Sequence, residues 1–332
     1  MRAPEFWQHG GAAATLLAPF AMLYATAGLV HQRAVTPWRA PVPVICVGNL
    51  TIGGTGKTPT ALAVARVLRA WDLHVTFLSR GYGGALRGPV LVDPAKHDAR
   101  AVGDEPLLLA QCAPTWVARD RKDGARVAIA DGADVIVMDD GLQNPALKKD
   151  LKLVVVDGET GFGNGRVLPA GPLREPLARG LAHAHAFVLV GSDLDGLRAR
   201  LTPHAPVLTA SLVPDASARA LAGRKVHAFA GIGRPEKFFA TIDALGARRA
   251  ASHAFADHHP YTDAEAARLI EAAAADDAVA VTTAKDLVRL PEPLRQRVIA
   301  LNVDLVFDDT AALERQLRGA AAPRPHETVA HG

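Results

Sequence analysis

The sequence predicts an α/β fold, a parallel sheet with helices on both faces, and three observations lead to it. Short runs rich in Val, Ile and Leu recur along the chain without helical period. Stretches of helical character alternate with them. A glycine-rich turn joins the first complete run to the first such helix in "VICVGNLTIGGTGKTPTALAVARVL". The 332 residues suit two domains, and with 49% hydrophobic residues the chain can bury a full core.

The elements come in this order. Residues 11–30 carry no charge, about the length that crosses a hydrocarbon core. The larger side chains Leu16, Leu17, Phe20, Leu23, Tyr24 and Leu29 fall mostly three or four apart, a pattern that also suits a helix lying in a membrane interface. His31, Arg33, Trp38 and Arg39 make a basic, aromatic flank that favours the cytoplasmic side for the rest of the chain. Membrane attachment is expected ahead of a buried core helix or a signal peptide cut near Ala25-Thr26-Ala27. "VPVICVGNL" reads as a buried strand, leading into a helix from Pro59 to about Trp71 that tolerates proline in its first turn. "HVTFLSRGYGG", "ADVIVMDDGLQ", "LKLVVVDG" and "HAFVLVGS" are further strands, with helices near 104–112 and 121–131. Residues 201–222 look like a connector, and a second α/β unit starts at "KVHAFAGIGRPEKFF" and continues through "VAVTTAKDLVRL".

The turn has the context of a phosphate cradle: strand, then Gly53-Gly54-Thr55-Gly56-Lys57-Thr58, then helix. Glycine N–H groups and a helix N-terminus converge on phosphate oxygens, so a P-loop NTPase-like sheet is expected. Thr51 stands where the standard motif opens on glycine, and Ile52 where a partition ATPase of the MinD/ParA type carries a second lysine. Lys57 is expected to bridge the β- and γ-phosphates, and Thr58 to ligate Mg²⁺. In "VIVMDD", Asp139 or Asp140 fits the acidic residue that meets Mg²⁺ beside such a loop. Lys285 and Asp286 are adjacent in "TTAKD", which breaks the lysine–x–aspartate spacing of a guanine site. A net charge of +3 without basic, aromatic runs speaks against nucleic acid. Cys46 and Cys112 have no metal-like spacing and fit a reducing compartment.

"VPVICVGNLTIGGTGKTP", "SRGYGG", "VGDEP", "MDDGLQ", "GFGNGRVLPAGPLRE", "AGIGRPEKFF", "FADHHPY" and "TTAKD" together closely resemble the tetraacyldisaccharide 4′-kinases of the lipid A pathway, over about residues 5–290. Thr51 is typical of that family's loop. The resemblance implies ATP and Mg²⁺ as cofactors. It implies transfer of the γ-phosphate to the 4′-hydroxyl of an acylated glucosamine disaccharide 1-phosphate, giving lipid IVA at the cytoplasmic face of a Gram-negative inner membrane. Membrane lipid is then an expected partner, nucleic acid is not, and a monomer is expected. Residue by residue, it assigns Thr51, Ile52 and Gly53 to Thr58 to the nucleotide, and Asp139, Asp140 and Glu175 with Thr58 to the metal. Asp104 and His258 become a catalytic pair, the carboxylate accepting the proton of the sugar hydroxyl while the histidine holds it, with Asp257 alongside, and Arg174 and Arg121 become cations on the transferring phosphoryl group. The expected layout is a membrane-associated helix over 1–38, a P-loop kinase domain over 39–215, a smaller α/β closure domain over 216–320 and a disordered tail over 321–332. The rival reading is a membrane-bound nucleotide switch of the MinD/ParA kind, without a small-molecule substrate.

Overall fold

The computed structural model describes residues 4–321; of the tail expected to be disordered, residues 322–332 lie outside the described residues. Among the described residues thirteen strands form two sheets: β1 (Val44–Gly48), β2 (Val75–Ser79), β3 (Val90–Leu91), β4 (Thr115–Val117), β5 (Val135–Asp139), β6 (Leu151–Asp157), β7 (Ala186–Val190), β8 (Val207–Pro214), β9 (Lys225–Ala230), β10 (Arg248–Ala254), β11 (Val279–Thr283), β12 (Ile299–Leu301) and β13 (Val303–Phe307). The larger sheet runs β13-β8-β7-β6-β1-β5-β2-β4-β3, and the smaller β10-β9-β11-β12. From β8 to β4 every pairing is parallel, while β3 and β13 close the edges antiparallel. Parallel strands covered on both sides must be apolar throughout. Accordingly β1, β2, β5 and β7 are buried at every position.

Helix Lys57–Arg69 packs on one face of the larger sheet through Ala61, Val64, Ala65 and Leu68. Helices Arg121–Ala130 and Leu177–His183 lie in separate clusters with the strand residues that point the other way. The strand order turns at β1, with β5 on one side and β6 on the other. In such sheets the crevice beyond the carboxyl ends at the turning point is where ligands bind. Val47 pairs with Asp139, so the glycine loop after β1 and the aspartates after β5 end level, side by side.

Two expectations about organisation are corrected. Residues 201–222 are not merely a connector: β8 lies within them, bracketed by Pro206 and Pro214 and paired with both β7 and β13. The second unit does not extend to residue 320. After β12 the chain returns to the larger sheet as β13 and helix Thr310–Ala321, which buries Leu313 and Leu317 in the same core as Leu68. Four-residue-spaced leucines on one face of that helix need an apolar partner, and the first sheet supplies it.

The apolar N-terminal segment folds as helices Ala12–Leu16 and Ala18–Ala34, the second restarting with Pro19 in its first turn. Only Ala14 and Ala21 are buried, while Phe20 is 59% and Leu23 68% exposed, so the buried-core-helix reading fails. Among the described residues no helix is long and apolar enough to cross a membrane. The loop after β6 holds this segment at its base. Asn164 Nδ2 donates to Phe6 O at 2.9 Å, Arg166 Nη1 to Ala14 O at 3.0 Å and Trp7 Nε1 to Pro169 O at 3.1 Å.

Candidate active site

The loop after β1 shows why its opening residue is not glycine. Thr51 makes an isolated antiparallel bridge to Leu173, and Ile52 N–H donates to Pro172 O at 2.8 Å. The start of the loop is therefore extended backbone that any residue adopts. The turn comes later, at Gly53 (φ 121°) and Gly56 (φ 93°), where an L side chain would be strained. Gly56 opens helix Lys57–Arg69, and Asn49 Nδ2 donates to Thr55 Oγ1 at 3.1 Å beneath the loop. Gly54 lies in the span between the two left-handed turns. The free N–H groups of the helix's first turn thus face the crevice, the arrangement that binds phosphate.

Lys57 is buried, with Nζ 3.8 Å from Asp140 Oδ2. Thr58 Oγ1 donates to Asp139 Oδ2 at 3.2 Å, and Asp139 Oδ1 is buried without a partner. Burial, with the nearby Glu105 charge adding to it, pushes the Asp139 carboxyl well above the usual carboxylate range. A hydroxyl and an unmet carboxylate oxygen suit a hard cation that completes its shell with water and phosphate oxygens, as Mg²⁺ does. The sequence also offered Asp140 and Glu175 to the same cation. Among the described residues no three His, Cys, Asp or Glu side chains are arranged to hold a metal. Asp140 stands in the left-handed region (φ 53°), which turns its carboxylate away from Asp139 toward cations: Arg174 Nη1 donates to it at 2.7 Å. Burial alone would raise the Asp140 carboxyl, but Lys57 and Arg174 outweigh it and hold it low. Glu175 accepts from Gln143 Nε2 at 3.0 Å and lies 3.9 Å from Arg179.

Helix Asp104–Ala110 begins at the crevice because Gly103 (φ 91°) reverses the chain just before it, in a space where a Cβ would lie 2.6 Å from Tyr82 O. Asp104 is buried, and its Oδ1 accepts the Glu105 N–H at 2.9 Å. Its Oδ2 meets His258 Nδ1 from the smaller unit at 3.1 Å. His258 is another non-glycine residue in the left-handed region (φ 59°), pinned by its own N–H to Gly231 O at 3.0 Å. Such strain concentrates where a side chain must be aimed. Burial would raise the Asp104 carboxyl, but the His258 hydrogen bond and the charges of Lys285 and Arg289 more than reverse this and hold it far below the usual range. Asp257 lies alongside, with Oδ1 3.9 Å from His258 Nε2. His259 turns away to Glu265 Oε2 at 2.7 Å and stacks on Phe255, so of the two histidines it is His258 that faces Asp104.

Arg121 is almost fully buried at the start of its helix, bonded through Nη1 to Ala118 O, with Nε unpartnered. Burial and the neighbouring Arg80 lower its guanidinium to about 10, so it stays charged at neutral pH. Sequence reasoning missed further participants. Lys285 Nζ donates to Glu105 Oε1 at 2.7 Å, and Arg289 Nε donates to Asp104 Oδ2 at 2.8 Å. Local pattern gave little signal for them, since Lys285 stands on the four-residue helix Ala284–Leu287 and Arg289 in the turn beyond it. A second bridge across the crevice joins Arg234 and Lys237 to Asp157 and Glu159.

Comparison with known proteins bears on all of these elements. The family described as Tetraacyldisaccharide-1-P 4′-kinase matches residues 13–322. The tetraacyldisaccharide 4′-kinase of Rhodospirillum rubrum is 56% identical over 95% of this chain and 96% of its own. That of Gluconacetobacter diazotrophicus is 54% identical over 96% of this chain and 97% of its own. The crystal structure of "apo" form LpxK from Aquifex aeolicus in complex with ATP superposes with a TM-score of 0.75 at 27% identity, covering 93% of this chain and 100% of that one. The glycine loop, Asp139, Asp140, Asp104, His258 and helix Ala18–Ala34 all fall inside the residues that the family matches, and the chain belongs to the tetraacyldisaccharide 4′-kinase family.

Proposed function

We propose that the chain transfers the γ-phosphate of ATP to the 4′-hydroxyl of a tetraacyldisaccharide 1-phosphate, forming lipid IVA. The observation that carries this reading is the contact of Asp104 with His258 across the crevice whose floor is the phosphate loop. Residues 53–58 hold the triphosphate, with Lys57 against the β- and γ-phosphates. Thr58 and Asp139 would hold Mg²⁺, which when bound neutralises charge between those phosphates.

We assign the His258 proton to Nδ1, donated to Asp104 Oδ2, because an ionised carboxylate accepts it best. Nε2 is then the free lone pair and takes the proton of the sugar hydroxyl. That oxygen forms a bond to the γ-phosphorus as the bond to the β–γ bridging oxygen breaks, and ADP leaves with the electron pair. Asp104 orients the imidazole and offsets its charge once protonated; a carboxyl held this low is itself a poor proton acceptor. Arg174 and Arg121 are assigned to stabilise the phosphoryl group in transit; the contact of Arg174 with Asp140 and the charge interaction of Arg121 with Asp139 and Asp140 support this. Because the dyad spans both units, any parting of the units would take His258 away from Asp104, so the contact ties catalysis to the closed arrangement.

The exposed apolar faces of residues 12–34 support peripheral attachment to one leaflet, where a substrate with four acyl chains resides. The basic flank supports the cytoplasmic face of the inner membrane. A monomer suffices, since both dyad residues come from one chain. The nucleotide-switch reading is not favoured, because a switch has no need of a dyad facing the triphosphate site. The test is thin-layer separation of lipid after incubation with [γ-³²P]ATP and defined disaccharide 1-phosphates. Label in a 4′-phosphorylated lipid is expected; ATP hydrolysis without labelled lipid would overturn the proposal.

A further inference from the structure

We propose that Arg289 is a positioning residue of the phosphoryl transfer, fixing Asp104 across the crevice so that Asp104 can in turn fix the His258 imidazole. The proposal rests on the assignment of Asp104 and His258 as the catalytic dyad and extends it to a residue whose guanidinium is taken up by Asp104, Gly231 and Asp286.

Arg289 lies beyond β11 and the short helix Ala284–Leu287, and its side chain is 5% exposed. Its guanidinium is anchored from behind within the smaller unit. Nη1 donates to Gly231 O at 2.7 Å and to Asp286 Oδ1 at 3.1 Å. Asp286 is fully buried and is itself locked: Oδ1 also accepts from Gly231 N at 2.9 Å and Tyr261 Oη at 3.0 Å, and Oδ2 accepts from Thr283 Oγ1 at 2.6 Å. The other edge of the fork faces the larger unit, where Nε at 2.8 Å and Nη2 both donate to Asp104 Oδ2. That oxygen also receives His258 Nδ1. Gly231 O accepts from Arg289 and from the His258 backbone N–H alike, so one carbonyl ties the clamp to the strained histidine.

This arrangement does more than a surface ion pair. A buried charge pair gains little net stability over well-packed apolar residues, so its directional value is what distinguishes it. With Oδ1 held by the Glu105 N–H and Oδ2 by Arg289, the carboxylate of Asp104 cannot rotate, and only one imidazole orientation satisfies it. Lys285 on Glu105 repeats the contact on the next residue of the same helix and sets how the two units meet. The 3.3 Å approach of Arg289 Nη2 to His258 Nδ1 is then an electrostatic neighbour, since Nδ1 already donates to Asp104.

The experiment measures kcat, KM for ATP, KM for the disaccharide and thermal stability in Arg289→Met, Arg289→Lys, Asp104→Asn and Arg289→Met/Asp104→Asn. Misaiming a base by about 1 Å costs on the order of 100-fold, so Arg289→Met is expected to lose roughly 10- to 100-fold in kcat. KM for ATP should be largely unchanged, because the phosphate loop belongs to the other unit. Arg289→Lys keeps the charge without the fork and should lose less; it also serves as the test variant should Arg289→Met fail to fold. In the Asp104→Asn background the Arg289→Met change should cost no further kcat, because residues acting through one another are not additive. A wild-type kcat in Arg289→Met, or the same loss repeated in the Asp104→Asn background, overturns the proposal. If Asp104→Asn keeps full activity, the dyad reading falls as well; if it is inactive while Arg289→Met is not, only the role of Arg289 falls.

Discussion

Replacing Asp104 by Asn keeps the shape of the side chain and removes its charge. In the native protein Oδ2 accepts from His258 Nδ1 at 3.1 Å and from Arg289 Nε at 2.8 Å, beside Lys285. An amide can present its NH₂ group to Nδ1, which favours the proton on Nε2 and leaves no lone pair for the sugar hydroxyl. Loss of general-base assistance costs roughly 10²- to 10⁴-fold, or about 2.7–5.4 kcal/mol of barrier. A second cost falls on stability, because Arg289 loses one of its two buried anionic partners and keeps only Asp286, so the loss stays below the roughly 3–5 kcal/mol of a buried charge left wholly unpaired. The pH dependence of this second term has a definite sign. The folded Asp104 carboxyl lies below its unfolded value, so its contribution is fully present above a pH of about 4 and is lost as pH falls through the depressed folded value. The stability gap between native protein and variant is therefore widest at neutral pH and narrows in acid. The assay pairs single-turnover transfer of ³²P to lipid with ATP titration and denaturant unfolding at several pH values. A kcat within threefold of native, with unchanged ATP affinity, refutes the orienting role of Asp104.

Four further outcomes are expected. Lys57→Ala should weaken ATP binding and slow transfer together, measured by titration and kcat, because the buried Nζ, 3.8 Å from Asp140 Oδ2, is the group proposed to meet the β- and γ-phosphates. Gly103→Ala places a Cβ 2.6 Å from Tyr82 O at φ 91°, so it should destabilise by more than about 1 kcal/mol and lower kcat by shifting the start of the Asp104 helix, read by unfolding and turnover. Leu317→Ala should cost about 2–5 kcal/mol in denaturant unfolding and loosen helix Lys57–Arg69 in hydrogen exchange, because Leu317 belongs to the core of the larger sheet. Phe20→Glu with Leu23→Glu removes roughly 1.5–3 kcal/mol of apolar burial per site from any membrane contact, so vesicle sedimentation should drop sharply while ATP binding holds.

Legibility in the sequence tracked locality. β1, the glycine turn and its helix were readable because strand, turn and helix chemistry sit in one continuous stretch, and the parallel sheet came from buried Val and Ile runs such as "VICVG" and "VIVMD". β8 was missed because flanking prolines and a half-exposed pattern hide a strand that exists only through its pairing with β7 and β13. The return of residues 303–321 to the larger sheet was missed for a related reason. It depends on which core receives Leu313 and Leu317, and no local pattern records that. Within the site, Asp104 and His258 came from the family likeness; their separation of 154 residues is bridged only in the fold. Asp139 and Asp140 were both legible as the acidic pair that ends β5, whereas the left-handed backbone that brings Asp140 to Arg174 leaves no sequence signal in a non-glycine residue. Arg289 went unseen because its value lies in a contact with another domain.

The most direct measurement is a crystal structure of the protein holding a non-hydrolysable ATP analogue together with the disaccharide 1-phosphate. The 4′-oxygen should lie within about 2.6–3.2 Å of His258 Nε2 and in line with the γ-phosphorus on the Lys57 loop. A 4′-oxygen out of reach of His258, or His258 parted from Asp104 in that closed state, contradicts the account.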